Sequence, residues 1–342
     1  MTGPDPAVAA VRVAVRRALR GLTGTTRDGT VLVACSGGAD SLALLSATVF
    51  GTRRSPFRVV GVTVDHGLQE ESAAQADHVV AQMAGLGADE TATVRVTVDP
   101  GPRGIEAGAR EARYAALGQL AIHFGSDAVL LGHTLDDQAE TVLLGLTRGS
   151  GGRSIAGMRR RFRRDGVLFA RPLLDLTRAD TEAACRAEGI AWWEDPHNSD
   201  PRFVRSRIRH TVLPMLEREL GPGVAAALAR TGEAVRADVD ELDDLAEQWL
   251  EQHPCPLDTT ALDALGDGLR LRVLRLAAVA AGAIPGELTR AHVLAVDELV
   301  HGYHGQRWID LPGPVRAVRD GGRLGFESGP PGAAADRDGP RD

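Results

Sequence analysis

A strict alternation in the first 132 residues constrains this chain more than any other feature. TVLVA (30–34), RVVGVTV (58–64), TVRVTV (93–98) and DAVLLG (127–132) are short, apolar and rich in β-branched residues. That is how strands buried on both faces of a parallel sheet read. Helical stretches near 39–50, 72–86 and 106–124 separate them. A β-α-β-α-β-α-β order requires right-handed crossovers and predicts a doubly wound, mostly parallel α/β sheet. In such sheets ligands sit outside the carboxyl ends of the strands. The loops at 35–41, 65–71, 99–105 and 133–137 should therefore converge on one crevice.

The character changes after about residue 150. A Gly-rich stretch, RGSGGRS (148–154), leads into seven arginines between 159 and 178, set against Asp165 and Asp175. Residues 202–209 add four more arginines, whereas 231–263 carry ten acidic side chains against Arg236 alone. The net charge of −7 thus averages a basic middle and an acidic region that follows it. Helical patterns occupy 177–188, 203–219, 223–252, 259–282 and 287–301, and WIDLP (308–312), PVRAVR (314–319) and RLGFE (323–327) read as short strands. The expected organisation is a nucleotide-type domain over 1–150, a linker and basic segment over 151–220, a mainly helical second domain over 221–327, and a disordered tail over 328–342.

Composition excludes several chemistries. All 39 basic residues are arginine, so no lysine is present for a Schiff base or a Walker-type phosphate loop. Cys35, Cys185 and Cys255 lie far apart and form no CxxC pair. That spacing argues against a disulfide framework or thiolate zinc site and points to a reducing cytoplasm. Residues 8–19 put Val8, Val11, Val15 and Leu19 on one helical stripe with arginines opposite, as in a docked first helix. No apolar run is long enough to span a bilayer, so no membrane is expected as a partner.

The first of the converging loops carries the chemistry. SGGADS (36–41) leaves an apolar strand directly and enters a helix. Gly37 and Gly38 permit backbone torsions and a close approach that a Cβ would obstruct. The amides of a helix start, Ala39 among them, then point at an anion, and the Ser36 and Ser41 hydroxyls can add donors. Asp40 repels phosphate unless Mg²⁺ stands between them. Otherwise Asp40 or Ser41 would simply cap the helix. Further loops bring VDHGLQEES (64–72) with Asp65 and His66, EAGAREARY (106–114) with Arg110, Arg113 and Tyr114 at helical spacing, and GHTLDDQAETVLLGL (132–146). In the last, His133 precedes Asp136 and Asp137, and Glu140 and Thr141 return to the face of Asp137 one turn later. Clustered carboxylates near a triphosphate would suit Mg²⁺, with Asp40, Asp136 and Asp137 as its ligands.

SGGxDS in this setting resembles the pyrophosphate loop of the N-type ATP pyrophosphatases, a Rossmann-like superfamily that splits ATP between its α and β phosphates. SGGADS, VDHGLQ, EAGAREARY, GHTLDDQAET, TRGSGG, RPLL (171–174) and WWEDPHNSDPRFVRSRIRHTVLPML (192–216) occur in the order and spacing of the tRNA(Ile)-lysidine synthase family. The resemblance covers about residues 28–220. Ser154-Ile155 stands where the family often has Gly-Leu, and Gln69 where it often has Arg.

The resemblance implies a two-step ligation. ATP adenylates the C2 oxygen of the wobble cytidine in an isoleucine tRNA with a CAU anticodon. Free L-lysine then attacks C2 through its side-chain amine and expels AMP, leaving lysidine. It implies ATP contacts from Ser36, Gly37, Gly38, Ala39, Asp40, Ser41, Asp65 and His66, and catalytic roles for Arg113, His133 and Asp137. Arg113 would suit the α-phosphate or the developing oxyanion. Asp137 would bind Mg²⁺, or orient the lysine ammonium and accept its proton. The tRNA phosphates would meet Arg148, Arg160, Arg161 and Arg163, with Arg205, Arg207 and Arg209 beyond them. The chain could act as a homodimer. Two other readings remain: a tRNA-thiolating pyrophosphatase, which the scattered cysteines disfavour, and a nucleotide-sensing module, which would not need GHTLDDQAET.

Overall fold

The computed structural model describes residues 3–22, 29–55, 57–65, 67, 72–98, 104–149, 151–195, 200–301 and 308–329. The chain divides into two compact units, Met1–Leu144 with Gly157–Gly232, and Gly145–Ala156 with Glu233–Asp342.

In the first unit, α1 (Pro6–Arg20) starts on an Asp5 cap, whose carboxylate accepts the Ala7 amide at 2.8 Å. It buries Val8, Val11, Val15 and Leu19, as their spacing predicts. There follow β1 (Thr30–Ala34), α2 (Ala39–Thr52), β2 (Arg58–Asp65), α3 (Ser72–Gly85), β3 (Glu90–Arg95), α4 (Ile105–His123), β4 (Ala128–Leu131) and α5 (Leu135–Arg148). The strands β1 to β4 are mutually parallel where they pair. Their alternation decides which side each residue packs on. Val31, Val33, Val59 and Leu130 face α1, α2 and the α3 side chains Val79 and Met83. Leu32, Val60, Val62, Val129 and Leu131 face Tyr114, Leu117 and Ala121 of α4. This is the doubly wound, mostly parallel sheet expected.

The third strand sits three residues earlier than the 93–98 run suggested. Val60 pairs with Glu90 and Asp65 with Arg95, and Asp89 fixes that register by accepting the Val59 amide at 2.7 Å. The strand lies at the sheet edge and is half-exposed, so its apolar pattern marks its ends poorly.

After α6 (Gly152–Ile155), which belongs to the second unit, the chain adds two strands to the same sheet: β5 (Arg161–Arg164) and β6 (Val167–Ala170). The Arg cluster thus forms a hairpin that completes the order β3-β2-β1-β4-β6-β5, with β6 parallel to β4. Its turn is Asp165-Gly166, both at positive φ (49° and 80°), the geometry of a tight hairpin. Next come α7 (Arg178–Ala187), α8 (Val204–Arg207), a π-helical turn (Ile208–Val212), α9 (Leu213–Leu220) and α10 (Val224–Gln252). The expected helix 203–219 is therefore interrupted. Pro214 has no amide hydrogen to continue the regular ladder, and a π turn precedes it.

The second unit holds β7 (Leu257–Asp258), α11 (Thr259–Asp263), α12 (Asp267–Ala280), α13 (Arg290–His301), β8 (Trp308–Leu311), β9 (Val315–Asp320) and β10 (Arg323–Ser328). The strands form an antiparallel sheet in the order β7-β10-β9-β8. Its inner face packs Leu257, Leu311, Ala317 and Leu324 against Val273, Leu274, Val296 and Leu299. Within the acidic stretch, Asp243 pairs with Arg153 and Arg272 at 2.7 and 2.6 Å. The expected disordered tail lies outside the described residues from 330 onward. No helix among the described residues is long and apolar enough to cross a membrane.

Candidate active site

The strand order reverses between β1 and β4, and the crevice opens at their carboxyl ends. From β1, Gly37 takes φ +84°, and a Cβ there would stand 2.7 Å from Val79 Cγ2, so the position demands glycine. The helix that follows starts at Gly38 with no side-chain cap, so neither Asp40 nor Ser41 is one. Ser41 braces the loop instead: its hydroxyl donates to the Gly38 carbonyl at 2.9 Å and accepts the Ser36 amide at 3.1 Å. Ser36 Oγ lies 3.4 Å from Ser41 Oγ. Ala39 opens the helix, its carbonyl accepting from the Cys185 thiol at 3.4 Å. An uncapped helix start of this kind offers its first amides to an anion.

Gly132 brings β4 against this turn, where a Cβ would meet Asp40 and Ser41 backbone at 3.1 Å. The next residue, His133, accepts a hydrogen bond at Nδ1 from Arg171 Nε (3.2 Å). Burial holds its imidazole well below the usual range, and Arg171, Arg113 and Arg205 add to the effect against Asp137. Arg171 is itself buried, donating to the Arg159 carbonyl at 2.5 Å and the Tyr114 hydroxyl at 2.9 Å. Arg113, on α4, is drawn down by burial, and among the described residues no hydrogen bond or ion pair engages its guanidinium.

A charged cluster fills the floor. Asp137 Oδ2 accepts the Thr134 amide and hydroxyl at 2.8 and 3.1 Å. Its Oδ1 faces Arg205, Arg209 and Arg178 at 3.3, 3.3 and 3.6 Å. Burial opposes the Asp137 charge, but His133, Arg205, Arg178 and the Thr134 amide outweigh it and hold the carboxyl at about 2. Glu140, fully buried, receives Arg205 Nε and Arg209 Nε at 2.7 Å each. Arg205 and Arg209, four residues apart, reach it from one face of the helical run, and Ile208 and Leu213 seat that run against Ala139. Asp40 lies at the other side. Its carboxylate accepts from the Thr181 hydroxyl and stands 3.7 Å from Arg178, and burial pushes it up to about 6 despite both. A cavity of about 170 Å³ adjoins the cluster, lined by Asp136, Glu140, Arg178, Arg209, Leu213 and Glu217 among others.

The structure thus brings together the 36–41 loop, Arg113, His133 and Asp137, and adds Arg171, Arg178 and Thr181, to which the sequence pattern assigns no role. Arg171 follows the apolar VLFA run at a strand end, the position where the other site residues occur. Arg178 opens α7 behind a Thr177–Asp180 capping box, a helix-start signature visible in the sequence. Asp65 turns inward to accept the Gly67 amide at 2.8 Å and faces Arg95 at 3.6 Å. His66 and Gln69 lie outside the described residues.

Neither Asp136 nor Asp137 fits a metal in this arrangement. Asp136 accepts the Arg178 amide at 2.8 Å, and Asp137 is ringed by guanidiniums. Among the described residues no group of three acidic, His or Cys side chains could hold an ion. Asp40, whose nearest guanidinium stands 3.7 Å away, does fit one that arrives on phosphate oxygens.

The arginines expected on tRNA fall into two sets. Arg205 and Arg209 point into the cluster, whereas the others stand on the surface with local partners. Arg160 grips Asp175 at 2.6 Å, Arg161 donates to the Ala18 and Gly21 carbonyls at the end of α1, Arg163 to Gly166 and Arg207 to Pro201. Arg148 belongs to the second unit.

Comparison with known proteins identifies the family. A PP-loop domain model matches residues 11–216, and a TilS substrate binding domain model matches 257–324. The tRNA(Ile)-lysidine synthase of Thermobifida fusca is 51% identical over 95% of this chain and 98% of its own. That of Streptomyces coelicolor is 46% identical over 96% and 100%. Among solved structures, a tRNA thiolase from Methanococcus maripaludis aligns with a TM-score of 0.55 at 18% identity, covering 67% of this chain and 80% of that one, a likeness of fold alone. The chain belongs to the tRNA(Ile)-lysidine synthase family.

Proposed function

We propose that the crevice of the first unit carries out both steps of lysidine formation. The wobble cytidine's C2 oxygen attacks the α-phosphorus of ATP and pyrophosphate leaves. The lysine side-chain amine then attacks C2, and the oxygen departs with AMP. Adenylation is required because the carbonyl oxygen is a poor leaving group by itself. The observation that carries this reading is the uncapped Gly38 helix start at the β1–β4 switch point, together with a buried Arg113 guanidinium near Asp137 that no hydrogen bond or ion pair engages among the described residues. Those groups suit pyrophosphate and α-phosphate oxygens, whose charge must be neutralised while the reactants are held in line.

The other residues divide the remaining tasks. Asp40 would hold Mg²⁺ arriving with the triphosphate, and the ion would neutralise charge on the leaving pyrophosphate. Asp137, kept ionised at about 2, can order Arg205, Arg209 and Arg178 or steer an ammonium, but it is a poor proton acceptor near neutrality. The adjoining cavity, with Asp136, Glu140 and Glu217 on its wall, is where we seat the lysine ammonium. The surface arginines of the β5–β6 hairpin and Arg207 would meet tRNA phosphates, and so would Arg148 by its own charge.

A label chase tests the reading. With ATP labelled at the α-phosphate and no lysine, label should accumulate on the isoleucine tRNA, and adding lysine should release it as AMP. Label that never enters tRNA would refute the adenylated intermediate.

A further inference from the structure

We propose that Arg171 is a positioning residue that fixes His133 as a neutral imidazole with its proton on Nε2. His133 then serves the crevice as a hydrogen-bond donor and not as a base. The inference rests on reading the crevice as the adenylation site, but the tautomer can be measured without that reading.

A guanidinium has five N–H groups and no acceptor, and it stays protonated in proteins. With Arg171 Nε 3.2 Å from His133 Nδ1, the imidazole must supply the lone pair. A neutral ring whose Nδ1 accepts carries its hydrogen on Nε2.

Arg171 has no freedom to turn away. Its Nη1 donates to the Arg159 carbonyl at 2.5 Å and its Nη2 to the Tyr114 hydroxyl at 2.9 Å. Its plane lies 4.5 Å from the Phe162 ring centre. Tyr114 stands edge-on to both Phe162 and Phe169, at 5.9 and 5.4 Å, and those two rings stack on each other at 5.1 Å. The Arg171 amide also continues the hairpin ladder, donating to the Arg160 carbonyl at 2.8 Å. The hairpin therefore sets the guanidinium, and the guanidinium sets the ring.

The charges around the ring agree. Arg171, Arg113 and Arg205 face His133, and Asp137 alone opposes them. Acting as a base would place an imidazolium among three guanidiniums. Donating from Nε2 to a phosphate or developing oxyanion requires no change of charge. The proton that the lysine ammonium must lose then goes elsewhere.

The test is a long-range ¹H–¹⁵N spectrum of the full chain labelled at histidine, with His133→Gln identifying the signal. The expected pattern is an Nε2–H tautomer that persists from about pH 8 down to about pH 6. An Nδ1–H tautomer, or an imidazolium within that range, would overturn the proposal, and this outcome does not depend on any Arg171 variant. Arg171→Leu should release the ring, lower kcat roughly 10–100-fold with little change in KM for ATP, and add an acidic limb to the pH–rate profile. Arg171→Lys, which keeps a donor, should restore part of kcat and suppress that limb. A leucine variant with the wild-type tautomer and profile would show that Arg171 merely packs. If the wild type shows the expected tautomer but never adenylates tRNA, the functional reading fails and the tautomer assignment stands.

Discussion

Glu140→Ala should strip the main counter-charge from a buried group of guanidiniums. Glu140 receives Arg205 and Arg209 at 2.7 Å each and lies 3.7 Å from Arg178. After truncation those arginines keep Asp137 at 3.3 to 3.6 Å, and Arg178 also keeps Asp40 at 3.7 Å. At an effective dielectric constant of about 20, a charge pair near 4 Å is worth about 4 kcal/mol. Three such pairs disappear, and relaxation with water entry recovers most of that loss, so the net cost falls in the range of about 3–5 kcal/mol measured for broken buried pairs. For a domain of about 150–250 residues that lowers Tm by about 2–4 °C per kcal/mol, or roughly 6–20 °C. Glu140→Gln keeps one acceptor and should lose about half as much. Calorimetry of the full chain reads the shift, and ATP–pyrophosphate exchange on the same samples should fall with it, since Arg178 also faces Asp40. A Glu140→Ala protein that melts within about 2 °C of wild type would refute the buried-charge argument.

Gly37→Ala forces a side chain into positive φ against Val79, so KM for ATP should rise at least about tenfold, for a local cost of about 1–3 kcal/mol. An unchanged KM would remove the loop from the phosphate site. Asp40→Ala should abolish ATP–pyrophosphate exchange while circular dichroism stays native, and normal exchange would leave Asp40 without a role. His133 is held below its ordinary value of 6.5 by burial, so its folded form binds fewer protons than the unfolded chain as pH falls. Its contribution to stability is full above about 6.5 and is lost progressively below; His133→Gln should flatten the decline in Tm from about pH 6.5 to 5, and an identical decline would contradict the burial. Replacing Arg160, Arg161 and Arg163 with Ser should reduce the salt slope of tRNA binding by about 0.9 for each phosphate no longer neutralised, whereas an unchanged slope would make the hairpin arginines a solvated face.

The sheet was legible because its central strands are apolar on both faces, and TVLVA and DAVLLG mark them within a residue. The edge strand was not, because half of its side chains meet solvent and only the Asp89 hydrogen bond sets where pairing begins. The β5–β6 hairpin is hidden among arginines, although Asp165-Gly166 is a strong turn signal. In the site, the loop glycines and His133 could be found from sequence because their chemistry follows from strand ends. Spacing puts Arg205 and Arg209 on one helix face and Arg207 on another, but neither spacing nor charge tells which face turns inward. That depends on Glu140, more than sixty residues earlier in the chain. Arg171 stands at the head of RPLL, yet its link to His133 exists only once β6 lies beside β4.

The central claim is that this crevice joins free lysine to C2 of the wobble cytidine at the expense of ATP. Mass analysis of nucleosides from an isoleucine tRNA with a CAU anticodon, after incubation with the full chain, ATP, Mg²⁺ and lysine, tests it most directly. The account predicts a cytidine at the wobble position that has gained lysine and lost water, in step with AMP and pyrophosphate, and absent when lysine or ATP is omitted or when Asp40 is replaced by Ala. A wobble nucleoside that gains sulfur instead, or stays unmodified while ATP is consumed, would contradict it.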